Sequence, residues 1–379
     1  YPSTVEFLNE IDAEVRDVVA RINHHACIAV WCGDNELIGA LTWFPESRKD
    51  RDRYLVSYDR LNRTIEQALK AAVPGAVWWP SSPSPGPMDF GDTWHDDKKG
   101  DMHFWSVWHE GRDFDHYRDV APRFCSEFGF QSYPSMDVIR RFADPADFNI
   151  AAPVMESHQK NAGGNARIAE TMFRYFRFPV DFENFVYLSQ VQQGLAIKTA
   201  VTQWRSLKPH CMGALYWQLN DTWPVCSWSS LDHGGGWKLM HHMAKGFFAP
   251  VTVVCIPDGD HLILKAINDT RAPVRLTVTA HAATTAALSN MAAKVGITKG
   301  SIAAQITVRI GKNSKFRPGN NHNSAKATSN CSHNSGGPKR PRRAKSPCSR
   351  VSTINKPPYN RNNKCSSHRL WPAGLFCSR

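Results

Sequence analysis

Short apolar runs alternating with amphipathic stretches predict an α/β fold. The expected architecture is the later half of a (β/α)8 TIM barrel, then the start of an immunoglobulin-like β-sandwich, then a disordered basic tail. Three observations carry this reading. Five candidate strands lie between residues 26 and 220, interleaved with helical periods, as parallel strand–helix units require. None is followed by a Gly-rich phosphate loop, which argues against a doubly wound nucleotide-binding sheet. Each strand ends in polar or aromatic residues, Asn35-Glu36, Ser81-Ser82, Trp105, Glu127 and Asn220-Asp221, where a barrel gathers its functional groups. A barrel has eight strands, so about three are expected before Tyr1. The opening "YPSTVEFLNE" already enters a helix and lacks a signal-peptide pattern, so the chain reads as a fragment.

The elements follow in order. Residues 5–23 carry Val5, Leu8, Ile11, Val15, Val18, Val19 and Ile22 at a helical period. "ACIAVW" (26–31) is a continuous apolar run suited to a strand buried on both faces. Residues 57–73 are helical and "GAVWWP" (75–80) is the next strand. A Ser, Pro, Gly and Asp loop spans 81–100, followed by "MHFWSVW" (102–108), a helical patch near 111–121 and a strand near 123–130. A helix at 136–143, a polar connection, a long helix over 183–207, the strand "MGALYWQLN" (212–220) and a helix at 237–248 complete the barrel portion, 1–249. From 250 to 290, "VTVVCIP", "HLILKAIN" and "VRLTVTAHA" alternate with turn residues as antiparallel β does. The tail, 291–379, is rich in Asn, Ser, Lys, Arg and Pro and is expected to be disordered.

Charge separates body from tail. Of 46 Lys+Arg and 34 Asp+Glu, 18 basic and no acidic residues fall after 280, which leaves 28 basic against 34 acidic groups before it. The net +12 therefore belongs to the tail, and a nucleic-acid partner is not expected for the body. "KRPRRAK" (339–345) fits a nucleic-acid-binding or nuclear-targeting arm, but a reading-frame error or wrong splice in the underlying gene is the preferred account. No run of 18 apolar residues exists, so no membrane partner is expected. The cysteines form no CxxC pair and read as small hydrophobes, which predicts no metal site.

Glu127 is the anomaly. It sits in "RFCSEFGF", among Phe124, Cys125, Phe128 and Phe130, although strand interiors disfavour glutamate and buried carboxylates are rare. Glu36 closes "IAVWCGDNE", also at a strand end. In a parallel barrel both ends open on one mouth, and glycoside hydrolysis uses such a carboxylate pair. A like-charge neighbour in a partly apolar site would keep the acid of the pair protonated. The competing account is structural, a buried ion pair of Glu127 with Arg123 or Arg140.

"WCGDNELIGALTWF", "WWPSSPSPG", "HFWSVWHEGRDFDHYRDVAPRFCSEFGFQSYPS" and "GALYWQLNDTWPVCSWSSLD" together resemble the β-mannosidases of glycoside hydrolase family 2 over roughly residues 1–280. The resemblance implies roles. Glu36 matches the general acid/base and Asn35 the residue that hydrogen-bonds the sugar 2-hydroxyl. Glu127 matches the nucleophile and Trp217 the aromatic floor of the −1 subsite, while Trp105 and His103 are candidates for sugar contacts. Trp223, Trp228 and Trp237 are left as structural; for His109 and Tyr117 a structural role is preferred over the pocket rim.

The implied reaction is double displacement at terminal non-reducing β-D-mannose, with no metal or organic cofactor. The implied partner is a β-mannoside oligosaccharide or a glycoprotein-derived glycan. β-Galactosidase, β-glucuronidase and exo-β-glucosaminidase share the two-glutamate chemistry and stay open, as does a non-catalytic carbohydrate- or nucleic-acid-binding protein. An open half barrel exposes strand edges, so the chain alone is expected to hydrolyse little or nothing. The family includes lysosomal and bacterial members, cytoplasmic or periplasmic.

Overall fold

The computed structural model describes residues 1–91, 96–258, 261–281 and 303–310. Its body is mixed α/β. Helix α1 (Val5–Ile22) begins where the Thr4 hydroxyl accepts from the Phe7 amide, satisfying one of the free donors of the first turn. Strands β1 (Trp31–Cys32) and β2 (Trp78–Trp79) pair in parallel, Trp31 opposite Trp78. Between them lie α2 (Leu37–Trp43), α3 (Pro45–Lys49) and α4 (Arg51–Ala72). Then follow β3 (Met102–Phe104), α5 (Ser106–His109), a 3-10 turn (Phe114–Arg118) and β4 (Cys125–Phe128), which pairs in parallel with β3. Helices α6 (Met136–Ile139), α7 (Pro153–Ser157), α8 (Gly164–Tyr175), α9 (Phe182–Arg205) and α10 (Leu239–Phe247) complete the body.

The strands are shorter than their apolar runs. "ACIAVW" yields pairing only from Trp31, and "MHFWSVW" turns from strand to helix at Trp105. The segment 212–217 forms no regular strand, yet it runs beside β4 in the parallel sense. Met212 donates to the Arg123 carbonyl, Cys125 to that of Gly213, Leu215 to that of Cys125 and Trp217 to that of Phe128. Gly213 makes this approach possible, because a Cβ there would lie 2.0 Å from the Phe124 ring. The sequence reading has a polar connection where α8 stands. Its Ile168 and Met172, four apart, are both buried, but the helix starts at Gly163 without a side-chain cap.

Packing is uneven. One large cluster joins Met102 and Phe104 of β3, Cys125 and Phe128 of β4, Trp108, Tyr117 and the inner face of α9 (Ala196, Ile197, Ala200, Val201, Trp204). Tyr117 is fully buried, with its hydroxyl directed at the Gly129 carbonyl, and so is no part of a rim. The β1–β2 region rests on two small clusters, one around Val19, Trp31 and Leu69, the other around Ile38, Leu41 and Tyr58.

Beyond the body, β5 (Val251–Asp258) pairs antiparallel with β6 (His261–Asn268), and β7 (Val274–His281) with β8 (Ala303–Ile310). β8 lies inside the stretch expected to be disordered from 291. Ile306, Val308 and Ile310 alternate there with Gln305, Thr307 and Arg309, the period of a strand. The rest of that stretch, with "KRPRRAK", is outside the described residues.

Candidate active site

Four backbone hydrogen bonds carry the chain from β1 and β2 to the first carboxylate. The Trp31, Gly33 and Glu36 amides donate to the Val77, Trp79 and Ser82 carbonyls, and the Ser82 amide returns to Asp34. Gly33 is required by this approach, since a Cβ would meet the Pro80 carbonyl at 2.4 Å. Glu36 then takes a left-handed conformation, φ 64°, immediately before α2. Such a backbone is uncommon outside glycine and costs on the order of 1–3 kcal/mol. The α2 amine end is capped one turn earlier by Asp34, whose carboxylate accepts from the Leu37 amide, the Ser81 hydroxyl and Asn62 Nδ2. Burial nevertheless raises the Asp34 pKa to about 6 against those bonds.

β3 and β4 supply the rest. His103 is opposite Glu127 in the parallel register, so the two side chains emerge together. His103 Nδ1 lies 2.6 Å from Glu36 Oε1 and 3.7 Å from Glu127 Oε1. One donor atom from each of Glu36, His103 and Glu127 falls within 4.8 Å of the others. Trp105 Nε1 donates to Glu127 Oε1 at 3.0 Å. Glu127 is 7% exposed, and neither arginine weighed as its partner reaches it. Arg140 instead pairs with Glu183 at 2.7 Å and with Asp137, and Arg123 is exposed.

The electrostatics follow from this crowding. Burial raises the Glu127 pKa to about 7; the His103 charge and the Trp105 N–H oppose the rise, and the Glu36 charge adds to it. For His103, burial works against the cation, but Glu127 and the hydrogen bond to Glu36 outweigh it and the pKa is raised. The perturbed carboxyl is thus the one matched to the nucleophile. It is the deeper of the two, and the sequence offers no measure of depth. The same oxygen, nitrogen and oxygen atoms are a donor set that a divalent cation could use. The 2.6 Å contact already ties up two of them around a shared proton.

Sequence reasoning placed His103 and Trp105 toward a sugar. Here both are buried and hold the carboxylates, His103 through Nδ1 and Trp105 through Nε1. Strand alternation could not have signalled this, because the chain leaves β3 after Phe104 and Trp105 already opens α5. Asn35 is exposed beside Glu36 and is bridged in parallel to Ser82. Trp217 is half-buried, tied by its amide to Phe128, and its carbonyl passes over Gly129, where a Cβ would lie 2.5 Å away. Ser82, marked in the sequence only as a strand-end residue, hydrogen-bonds behind His103 with Asp101 and Ser126, which sequence reasoning missed. Nothing in the types or spacing of Asp101 and Ser126 distinguishes them from loop residues.

No family model matches the chain. It is similar to the β-mannosidase of Rattus norvegicus, 30% identical over 304 residues that cover 74% of this chain and 34% of that protein. The β-mannosidase B of Emericella nidulans is 34% identical over 251 residues, 62% of this chain and 29% of that one. Among solved structures, a β-D-mannosidase from Dictyoglomus thermophilum superposes with a TM-score of 0.67 at 29% identity, covering 82% of this chain and 37% of that chain. An exo-chitosanase from Amycolatopsis orientalis shares the fold, with a TM-score of 0.59 at 15% identity, 82% of this chain and 34% of that one. In sequence and in fold the chain is similar to β-mannosidases, and it spans about a third of the length of the relatives it matches.

Proposed function

We propose that Glu36 and Glu127 are the catalytic pair of a retaining exo-glycosidase that releases terminal β-D-mannose by double displacement. The observation that carries this is their proximity. One oxygen of each carboxyl lies within 4.8 Å of the other, near enough for the pair to flank a single glycosidic bond. Glu127 attacks the anomeric carbon while protonated Glu36 releases the aglycone; Glu36 then deprotonates the water that hydrolyses the glycosyl-enzyme. Asn35 bonds the 2-hydroxyl, where hydrogen bonds that tighten in the transition state supply several kcal/mol, and Trp217 floors the subsite. His103 and Trp105 position the carboxylates. Because Glu127 attacks as its anion and has a pKa of about 7, glycosylation by a substrate whose activated leaving group needs no acid accelerates as pH rises through neutrality.

Residues 1–249 are the later half of the barrel in this reading, and 250–290 open the sandwich behind it. The chain alone is expected to hydrolyse little or nothing, and the small clusters under β1–β2 are in keeping with that expectation. A single-turnover test suits that expectation. With a 2-deoxy-2-fluoro-β-mannoside bearing an activated leaving group, the glycosyl-enzyme accumulates and mass spectrometry locates it on the Glu127 peptide. An adduct on another residue, or none on folded protein, overturns the reading. The matching galactoside, glucuronide and glucosaminide probes separate the other family 2 specificities.

A further inference from the structure

Behind the two glutamates stands a buried carboxylate that touches neither. Asp101, at the entrance to β3, accepts four hydrogen bonds. Oδ1 takes the Trp79 indole N–H and the Ser84 amide, each at 2.9 Å. Oδ2 takes the Ser82 hydroxyl at 2.8 Å and the Ser126 hydroxyl at 2.5 Å. A carboxylate has about four acceptor sites, so its capacity is filled. Ser82 Oγ is in turn 3.0 Å from His103 Nε2, the ring nitrogen that faces away from Glu36.

The proton inventory decides the direction of each bond. Ser82 has one hydroxyl proton. A charged acceptor binds it about twice as strongly as a neutral imidazole nitrogen would, so the proton goes to Asp101. The neighbouring Ser126 Oγ, 3.1 Å away, is the alternative acceptor, and either choice leaves only lone pairs facing Nε2. Nε2 must then be the donor. The geometry points to Asp101 as a positioning residue: through Ser82 it pins one proton on His103 Nε2, so that the first proton His103 loses passes from Nδ1 to the Glu36 oxygen bonded there. Under the glycosidase reading, on which this consequence rests, the movable proton of the site sits at the acid/base. The titratable groups around His103 are Glu36, Glu127 and Asp101, and each favours a protonated ring when ionised. Glu36 is the one that addresses a particular nitrogen, Nδ1, whose proton it can share across the 2.6 Å contact. Ser82 addresses the other, Nε2.

Asp101→Asn makes a definite prediction. Trp79 Nε1 and the Ser84 amide can only donate, so they demand the oxygen of the new carboxamide, whose amino group must face the serines. Ser82 then accepts from that amino group and turns its own proton toward Nε2, and the neutral imidazole becomes the Nδ1–H tautomer. The test uses the full chain labelled with 15N-histidine, with two-bond 1H–15N correlations followed through the titration and His103 assigned by the signals lost in His103→Gln. The expected result is a neutral His103 protonated at Nε2 in the unsubstituted chain and at Nδ1 in Asp101→Asn. Neutral His103 protonated at Nδ1 in the unsubstituted chain, or the same tautomer in both, overturns the proposal. Should Asp101→Asn fail to fold, Ser82→Ala removes the acceptor at Nε2, and a folded Ser82→Ala chain that keeps the full Nε2–H population equally overturns it. No substrate enters these spectra. A chain that the fluoromannoside does not label would sink the glycosidase reading and leave the tautomer assignment standing.

Discussion

Glu36 follows a two-residue strand that rests on small clusters around Val19 and Ile38, whereas Glu127 lies within a four-residue strand inside the large cluster that reaches Trp204. The Glu36 side chain keeps 23% exposure and a left-handed backbone; that of Glu127 keeps 10% and regular pairing. This difference suits the two tasks assigned. A group that exchanges protons with water needs access, while a group that must meet one carbon atom needs a rigid mount and little solvent. It also shows where the site is weakest, at the junction of the lightly packed region with the heavily packed one. Across that junction run the Glu36–His103 contact and the bonds of Ser82 to Asp101, His103 and Ser126.

The largest expected effect removes the mounted group. Glu127→Gln should abolish covalent labelling, a fall on the order of 10^4-fold or more, and a labelling rate that survives would break the comparison outright. Glu36→Gln should lower turnover of substrates with poor leaving groups by about 10²–10⁴-fold while sparing the activated fluoromannoside, because only the former need the acid. Equal losses on both substrates would mean that Glu36 holds structure rather than a proton.

Trp105→Phe keeps the ring and deletes the bond to Glu127. A hydrogen bond to a charged group contributes about 1.5–3 kcal/mol, so labelling near neutral pH should slow roughly 10- to 150-fold. The Trp105 N–H lowers the Glu127 pKa, so its loss should move the acidic limb of the pH profile above about 7. An unshifted limb would remove Trp105 from the site.

Stability should depend on pH through the same groups. Glu127, with a folded pKa of about 7, Asp34, with about 6, and His103, raised, all bind protons more tightly folded than unfolded. The fold therefore loses stability as pH rises through these values. For Glu127 the loss runs from the ordinary carboxylate range to about 7, and Glu127→Gln should flatten it in melting curves. A melting temperature that climbs across that window would reverse the sign.

The smallest effects compare the two regions directly. An alanine Cβ at Gly129 would press on the Trp217 carbonyl at 2.5 Å and the Trp105 ring at 2.8 Å, and one at Gly33 on the Pro80 carbonyl at 2.4 Å. Each should cost about 1–3 kcal/mol. Gly129→Ala should lower the global melting temperature, whereas Gly33→Ala, in a region held by small clusters, should mainly speed hydrogen exchange in β1 and β2.

The sequence by itself determined the helices with unbroken periods, α1, α4 and α9, because an apolar stripe every 3.6 residues has few other places to go. It also marked Glu127, since a carboxylate among phenylalanines is unfavourable without a partner. Which partner it has, an imidazole and an indole rather than an arginine, depended on the register of β3 against β4. The lengths of the strands and the filled carboxylate of Asp101 were decided only by tertiary contact. Residues at positions 82, 101 and 126 meet through space, and no local propensity records which hydroxyl will face which ring nitrogen.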